Sequence, residues 1–260
     1  MGPELFSIAG KTALITGGTS GIGLMIAEGY LRAGARIVIS SRKPDACAAA
    51  RETLSEFGEV HAIPADVSRD EQCRELIDAV AARTGKLDIL VNNAGATWGA
   101  PLDEFPVAAF DKVLTLNVKA PFLLTQLARP LLEAASAPDD PARVINIGSI
   151  DGIVVPRLPT FSYSSSKAAV HQLTRHLAHA LAPSILVNAI APGPFPSKMM
   201  AATLEAVGDR LAARTPVGRL GRGEDMAGAA IYLASRAANY VTGAVIPVDG
   251  GLSTTAGIAG

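Results

Sequence analysis

Seven short apolar runs recur along this chain, each followed by a turn signal and then by a stretch with helical spacing. They read as strands at 11–16, 35–40, 60–65, 87–91, 142–147, 185–190 and 244–248. Helices are expected at 22–33, 44–57, 69–84, 107–135, 163–181 and 224–235, with Gly34, Gly58 and Gly85 as stops after the first three. Apolar strands that alternate with helices bury both faces best in a parallel sheet covered on both sides. Right-handed crossovers make that a doubly wound α/β sheet of seven strands. Ligands of such sheets bind at the carboxyl ends of the strands. Asn92, Ser149 and Gly193 fall at those ends.

Composition narrows the class. The 260 residues are 49% hydrophobic, with no Pro-rich or Gly/Ser-rich linker, so one domain over 1–260 is expected. A net charge of -1 lacks the basic excess of a nucleic-acid binder. No apolar run approaches the ~20 residues of a membrane span. The start Met1–Phe6 has no basic region followed by an apolar stretch, so no secretion signal is expected and the location is read as cytoplasmic. Two cysteines, Cys47 and Cys73, make no disulfide framework. His171, His176 and His179 share one helix without a Cys or carboxylate cluster. They read as surface or subunit-contact residues, with no metal expected.

The first strand leads into Thr16-Gly17-Gly-Thr19-Ser20-Gly21-Ile22-Gly23 and then a helix. Glycines there let backbone N–H groups approach a pyrophosphate, and the helix N-terminus adds a favourable dipole. The spacing Gly-x3-Gly-x-Gly differs from the common dinucleotide fingerprint. The strand–turn–helix setting nevertheless predicts nucleotide binding. The second strand ends in Ser41, Arg42 and Lys43, where an NAD site usually puts an acid on the ribose. A hydroxyl plus a guanidinium suits a 2′-phosphate instead, which points to NADP(H) ahead of NAD(H). Asp66 ends the third strand and is expected to accept from an adenine amino group, with a helix cap as the alternative.

Tyr163 and Lys167 stand one helical turn apart, and Ser149 lies upstream at the end of the fifth strand. A nearby ammonium favours the phenolate, and a serine hydroxyl can hold a carbonyl oxygen. The three form a device for giving a proton to a carbonyl or taking one from an alcohol.

With Asp66-Val67, Asn92-Asn93-Ala94-Gly95, Asn117, Pro192-Gly193 and Val248-Asp249-Gly250-Gly251, these motifs run in the order found in one family. Over essentially its whole length the chain resembles a single-domain short-chain dehydrogenase/reductase, and within that family it is similar to bacterial 3-oxoacyl reductases of the kind associated with rhamnolipid synthesis. The resemblance implies a Rossmann-like sheet and direct hydride transfer from a nicotinamide. It makes Tyr163 the general acid and Ser149 the holder of the substrate oxygen. Lys167 would lower the phenol pKa and bind the nicotinamide ribose, and Asn117 would bind a water on the proton route. Val67, Asn93, Ala94 and Gly95 would contact the adenosine side of the cofactor. Pro192, Gly193, Phe195 and Ser197 would border the nicotinamide. A homotetramer or homodimer is implied, formed through the helices at 107–135 and 163–181.

On the substrate side, 194–222 is long for a connection and reads as a lid. Trp98 and Met199 favour a partly apolar substrate, whereas Asp151, beside the active site, is an unexpected carboxylate that either contacts a polar substrate group or faces solvent. The leading expectation is NADPH-dependent reduction of a 3-oxoacyl-type ketone. Oxidation of a sugar, steroid or aromatic alcohol and a non-catalytic NADP(H) sensor are the alternatives. The complete Asn117–Ser149–Tyr163–Lys167 set argues against the sensor. Related enoyl reductases separate Tyr and Lys by six residues rather than three.

Overall fold

Alternate residues of a strand face opposite ways, and here both sets are apolar. Ala13, Ile15, Ile37, Ile39, Ile89, Val91, Ile145 and Ile147 pack on one side of the sheet. Leu14, Val38, Leu90, Val144 and Val187 pack on the other. The computed structural model describes residues 2–197 and 200–255. Its strands are β1 (Thr12–Thr16), β2 (Arg36–Ser41), β3 (Val60–Pro64), β4 (Ile89–Asn92), β5 (Ala142–Ile147), β6 (Ile185–Pro192) and β7 (Val245–Val248). They form one seven-stranded sheet in the order β3-β2-β1-β4-β5-β6-β7, and every pairing is parallel.

Helices α1 (Gly21–Arg32), α2 (Pro44–Leu54) and α8 (Gly223–Ala234) cover the first face. Ile26, Ala27, Tyr30 and Leu31 supply the buried stripe of α1, and the Tyr30 hydroxyl donates to the Ala230 carbonyl at 3.1 Å. Helices α3 (Asp70–Thr84), α5 (Ala120–Ala135) and α6 (Phe161–Leu181) cover the second. Cys47 and Cys73 are both free and buried in this packing. Among the described residues no helix is long and apolar enough to cross a membrane.

Two expectations change. The helix expected over 107–135 is broken: α4 (Val107–Leu114) ends in a π-helical turn at Thr115–Lys119 before α5 begins. The 194–222 connection is not one long loop, because α7 (Ala201–Arg214) fills its middle, bent at Val207. Non-helical backbone at Val207 interrupts that helix.

The chain runs outward from β1 to β2 and β3, then returns to β4 on β1's other side. This reversal leaves a crevice between the carboxyl ends of β1 and β4, the usual ligand position in such sheets. Thr16 and Asn93 stitch its floor. The Thr16 hydroxyl accepts from the Asn93 and Ala94 amides, both at 3.0 Å. Asn93 Nδ2 donates to the Thr16 and Gly17 carbonyls at 2.8 and 3.2 Å.

Candidate active site

The glycine turn lies directly over that floor. Gly17 has φ +66, and a β-carbon there would lie 2.8 Å from Asn93 Nδ2. Ser20 precedes α1 without capping it through its side chain. The first amides of a helix lack intrahelical partners, so an uncapped start opening on a crevice suits a pyrophosphate. Ser197 returns over the turn, 3.0 Å from the β-carbon position of Gly21. Thr19, Ser20, Gly21 and Ile22 are half-buried, as expected of a ligand-facing turn, whereas Gly23 is buried beneath it.

At the end of β2, Ser41 is half-buried and Arg42 and Lys43 are exposed. Neither cation has an ion-pair partner among the described residues. Asp66 does not cap α3, whose N-cap is Arg69. Its Oδ1 instead accepts from the Ser68 amide and hydroxyl at 3.1 and 2.7 Å. Burial pushes this carboxyl up, but the Ser68 bonds and the charges of Arg42 and Arg69 outweigh it and hold it below its usual range. The fixed Oδ1 leaves Oδ2 for a donor such as an exocyclic amine. Val67 is buried beside it.

Ser149 follows β5 and is buried, and the Asp151 amide donates to its Oγ at 3.1 Å. Tyr163 enters from the first turn of α6, near enough to Ser149 for a side-chain hydrogen bond. Burial pushes the phenol up to about 12, against the Ser149 bond, and the Asp151 charge adds to the rise. The expected lowering by Lys167 is absent. The lysine is buried and donates to the Ile147 carbonyl at 2.7 Å, its Nζ lying 5.5 Å from the tyrosine ring centroid. Burial brings its own pKa down to about 8, which weakens the charge it offers.

Asn117 also differs from expectation. It sits in the π turn rather than a regular helix, with its amide engaged by protein. Oδ1 accepts from the Ala96 amide at 2.8 Å, and Nδ2 donates to the Ala96 carbonyl and Ser166 Oγ, both at 2.9 Å. The side chain therefore ties the 94–96 segment to α6. Gly95 lies between the two polar groups: a β-carbon there would be 3.3 Å from Asn117 Oδ1 and 3.7 Å from Lys167 Nζ.

Phe195 turns its ring inward. Its ring is 3% exposed and lies 2.6 Å from where a Gly221 β-carbon would stand, so it belongs to the core. Only its backbone remains for the nicotinamide side with Pro192, Gly193 and Ser197. Trp98 is 46% exposed, and Ile153 and Val155 are exposed as well. Met199 lies outside the described residues. His171 is not a surface residue; it is 4% exposed and packs behind Ser149. The spacing from Lys167, a single turn of one helix, carried that signal. Among the described residues no His, Cys, Asp and Glu cluster could hold a metal.

The chain belongs to the short-chain dehydrogenase/reductase family. A family model described as enoyl-(acyl carrier protein) reductase matches residues 17–253. The rhamnolipids biosynthesis 3-oxoacyl-[acyl-carrier-protein] reductase of Pseudomonas aeruginosa is 49% identical over 252 residues, spanning 95% of this chain and 97% of that protein. The solved RhlG/NADP active-site complex of Pseudomonas aeruginosa superposes with a TM-score of 0.92 at 48% identity, covering 97% of this chain and 100% of that one. A gluconate 5-dehydrogenase from Burkholderia cenocepacia J2315, solved with NADP and tartrate, gives 0.89 at 36% identity, covering 97% and 98%.

Proposed function

We propose that this protein reduces a partly apolar ketone of the 3-oxoacyl type to a secondary alcohol with NADPH. The observation that carries the reading is the convergence of Ser149, Tyr163 and Lys167 at the carboxyl end of β5, next to an open pyrophosphate turn. NADPH, when bound, supplies the hydride. Ser149 Oγ holds the substrate oxygen, and Tyr163 gives its proton to that oxygen as charge develops there. A phenol pushed up to about 12 is protonated at neutral pH, the state a donor needs. Lys167 supplies positive charge beneath the ring, and Asn117 fixes the wall opposite through Ala96. Gly17, Thr19, Ser20, Gly21, Ile22 and Gly23 cradle the pyrophosphate, and Ser41, Arg42 and Lys43 take the 2′-phosphate.

The 3-oxoacyl reductase of Pseudomonas aeruginosa supports the substrate class, and the NADP complexes of two relatives support the cofactor. The separation of Tyr163 and Lys167 by three residues keeps enoyl reduction out of this reading. Alcohol oxidation is the second reading, supported by the gluconate 5-dehydrogenase relative. The protein is proposed to work in the cytoplasm as a homotetramer or homodimer. Exposed Val107 and Phe122 on α4 and α5 support self-association.

The test is a panel of ketones and alcohols, 3-oxoacyl thioesters included, scored by absorbance of the reduced cofactor. Oxidation of alcohols with no ketone reduced would overturn the reading. Arg42→Ala is expected to lower kcat/KM for NADPH by about tenfold or more and leave NADH within about twofold, the loss of one charge-assisted phosphate contact. Equal loss with both cofactors would remove Arg42 from 2′-phosphate recognition.

A further inference from the structure

The turn Ile150–Gly152 carries a carboxylate into a site whose chemistry uses only neutral and cationic groups. Its backbone fixes where that carboxylate goes. The Asp151 amide is held by Ser149 Oγ at 3.1 Å. Gly152 lies against α6: a β-carbon there would come within 2.7 Å of the Ala168 nitrogen and 2.8 Å of His171 Cε1. Asp151 is half-buried, yet its carboxylate has no hydrogen-bond or ion-pair partner among the described residues. Its charge reaches both proton-transfer groups, raising the Tyr163 phenol and opposing the fall at Lys167. A carboxylate partly out of water is unfavourable: burial pushes Asp151 up, and the Lys167 charge offsets this only in part. Its turn places it directly after Ser149, the residue read as holding the substrate oxygen.

We propose that Asp151 is a specificity-determining residue that selects by charge, turning away ketones that carry a carboxylate near the carbonyl and admitting uncharged acyl ketones such as esters and thioesters of 3-oxo acids. This rests on the ketone-reductase reading of the site. Two like charges ~6 Å apart at an effective dielectric of ~20 repel enough to change an affinity by about a hundredfold. Salt and partial exposure reduce that to about tenfold. The same repulsion disfavours sugar acids.

Ethyl acetoacetate and acetoacetate are the matched probes, an ester and a free acid with one ketone. With NADPH at pH 8, Asp151→Asn is expected to lower the ester-to-acid ratio of kcat/KM by about tenfold. Calorimetric titration of both probes into the NADP⁺-loaded protein reads the same ratio without turnover, and it is expected to fall equally. Asp151→Ser takes the place of the amide variant if that one does not fold, and Asp151→Glu, which keeps the charge, is expected to stay near the wild-type ratio. Ratios unchanged within about twofold in the neutral variants would overturn the proposal. If neither ketone turned over but the binding ratio shifted, ketone reduction would fall and charge selection would stand.

Discussion

Tyr163→Phe is expected to lower kcat for ketone reduction by about a thousandfold, within the range ascribed to a positioned general acid. Cofactor affinity should stay within about threefold, measured by quenching of protein fluorescence on NADPH addition. The ring remains to pack, and only the oxygen that faces Ser149 is lost. The pH dependence has a defined sign. In the free protein the phenol lies near 12 and the lysine near 8. Reduction needs the protonated phenol and the charged lysine, so its rate should hold below about pH 8 and decline above it as Lys167 loses its proton. Oxidation of the product alcohol needs the phenolate, so its rate should rise with pH. A variant that kept near-wild-type turnover, or a reduction rate that climbed with pH, would remove Tyr163 from the donor role.

Gly148→Ala is expected to lower the melting temperature by about 5–10 °C and turnover by at least about tenfold. A β-carbon at Gly148 would collide with the His171 imidazole, coming within 2.7 Å of Cδ2, and would lie 3.2 Å from the Ile190 carbonyl. His171 is buried and wedged against Gly152 on its other side, so its ring has little room to yield. Overpacking of this kind costs about 1–3 kcal/mol, and in a domain of this size each kcal/mol moves the midpoint by about 2–4 °C. The displaced backbone belongs to the neighbour of Ser149, which is why activity follows stability. Removing the ring should relieve the collision. Gly148→Ala combined with His171→Ala is expected to be more stable than the two single losses predict, by at least about 1 kcal/mol of coupling. Additive losses in thermal unfolding would show that the clash is not the cause. His171 is depressed to about 4, by burial first and then by Lys167, so it is neutral at working pH and acts here through its shape.

The strands were legible because their apolar runs are short and end in turn residues, and every one of the seven lies within two residues of its expected bounds. The site's chemistry was legible because Ser149, Tyr163 and Lys167 are side chains whose spacing on a strand end and a helix turn dictates their meeting. What stayed hidden depends on which of two partners wins. Lys167 was read as a charge on Tyr163, and the hydrogen bond its buried ammonium also makes to the Ile147 carbonyl went unforeseen. Asn117 was read as a water carrier, and the bonds of its side chain to Ala96 and Ser166, distant in sequence, went unforeseen. Phe195 was read by its place in a motif, whereas Gly221, distant in sequence, makes the hole its ring fills. His171 looked like a surface histidine because Gly148 and Gly152, which close around it, are distant in sequence, and only its one-turn spacing from Lys167 pointed inward.

The π turn at Thr115–Lys119 sets the phase of everything that follows it in the helix. One residue is about 100° of helical rotation. Deleting a single position there would restore an unbroken α-helix and swing Leu124, Ala128 and Leu132 off the sheet, bringing residues such as Arg129 toward it. The stretch from Val107 to Ala135 is thus locked in length as well as in sequence, and a one-residue indel in it is a change of facing for a whole layer of the fold.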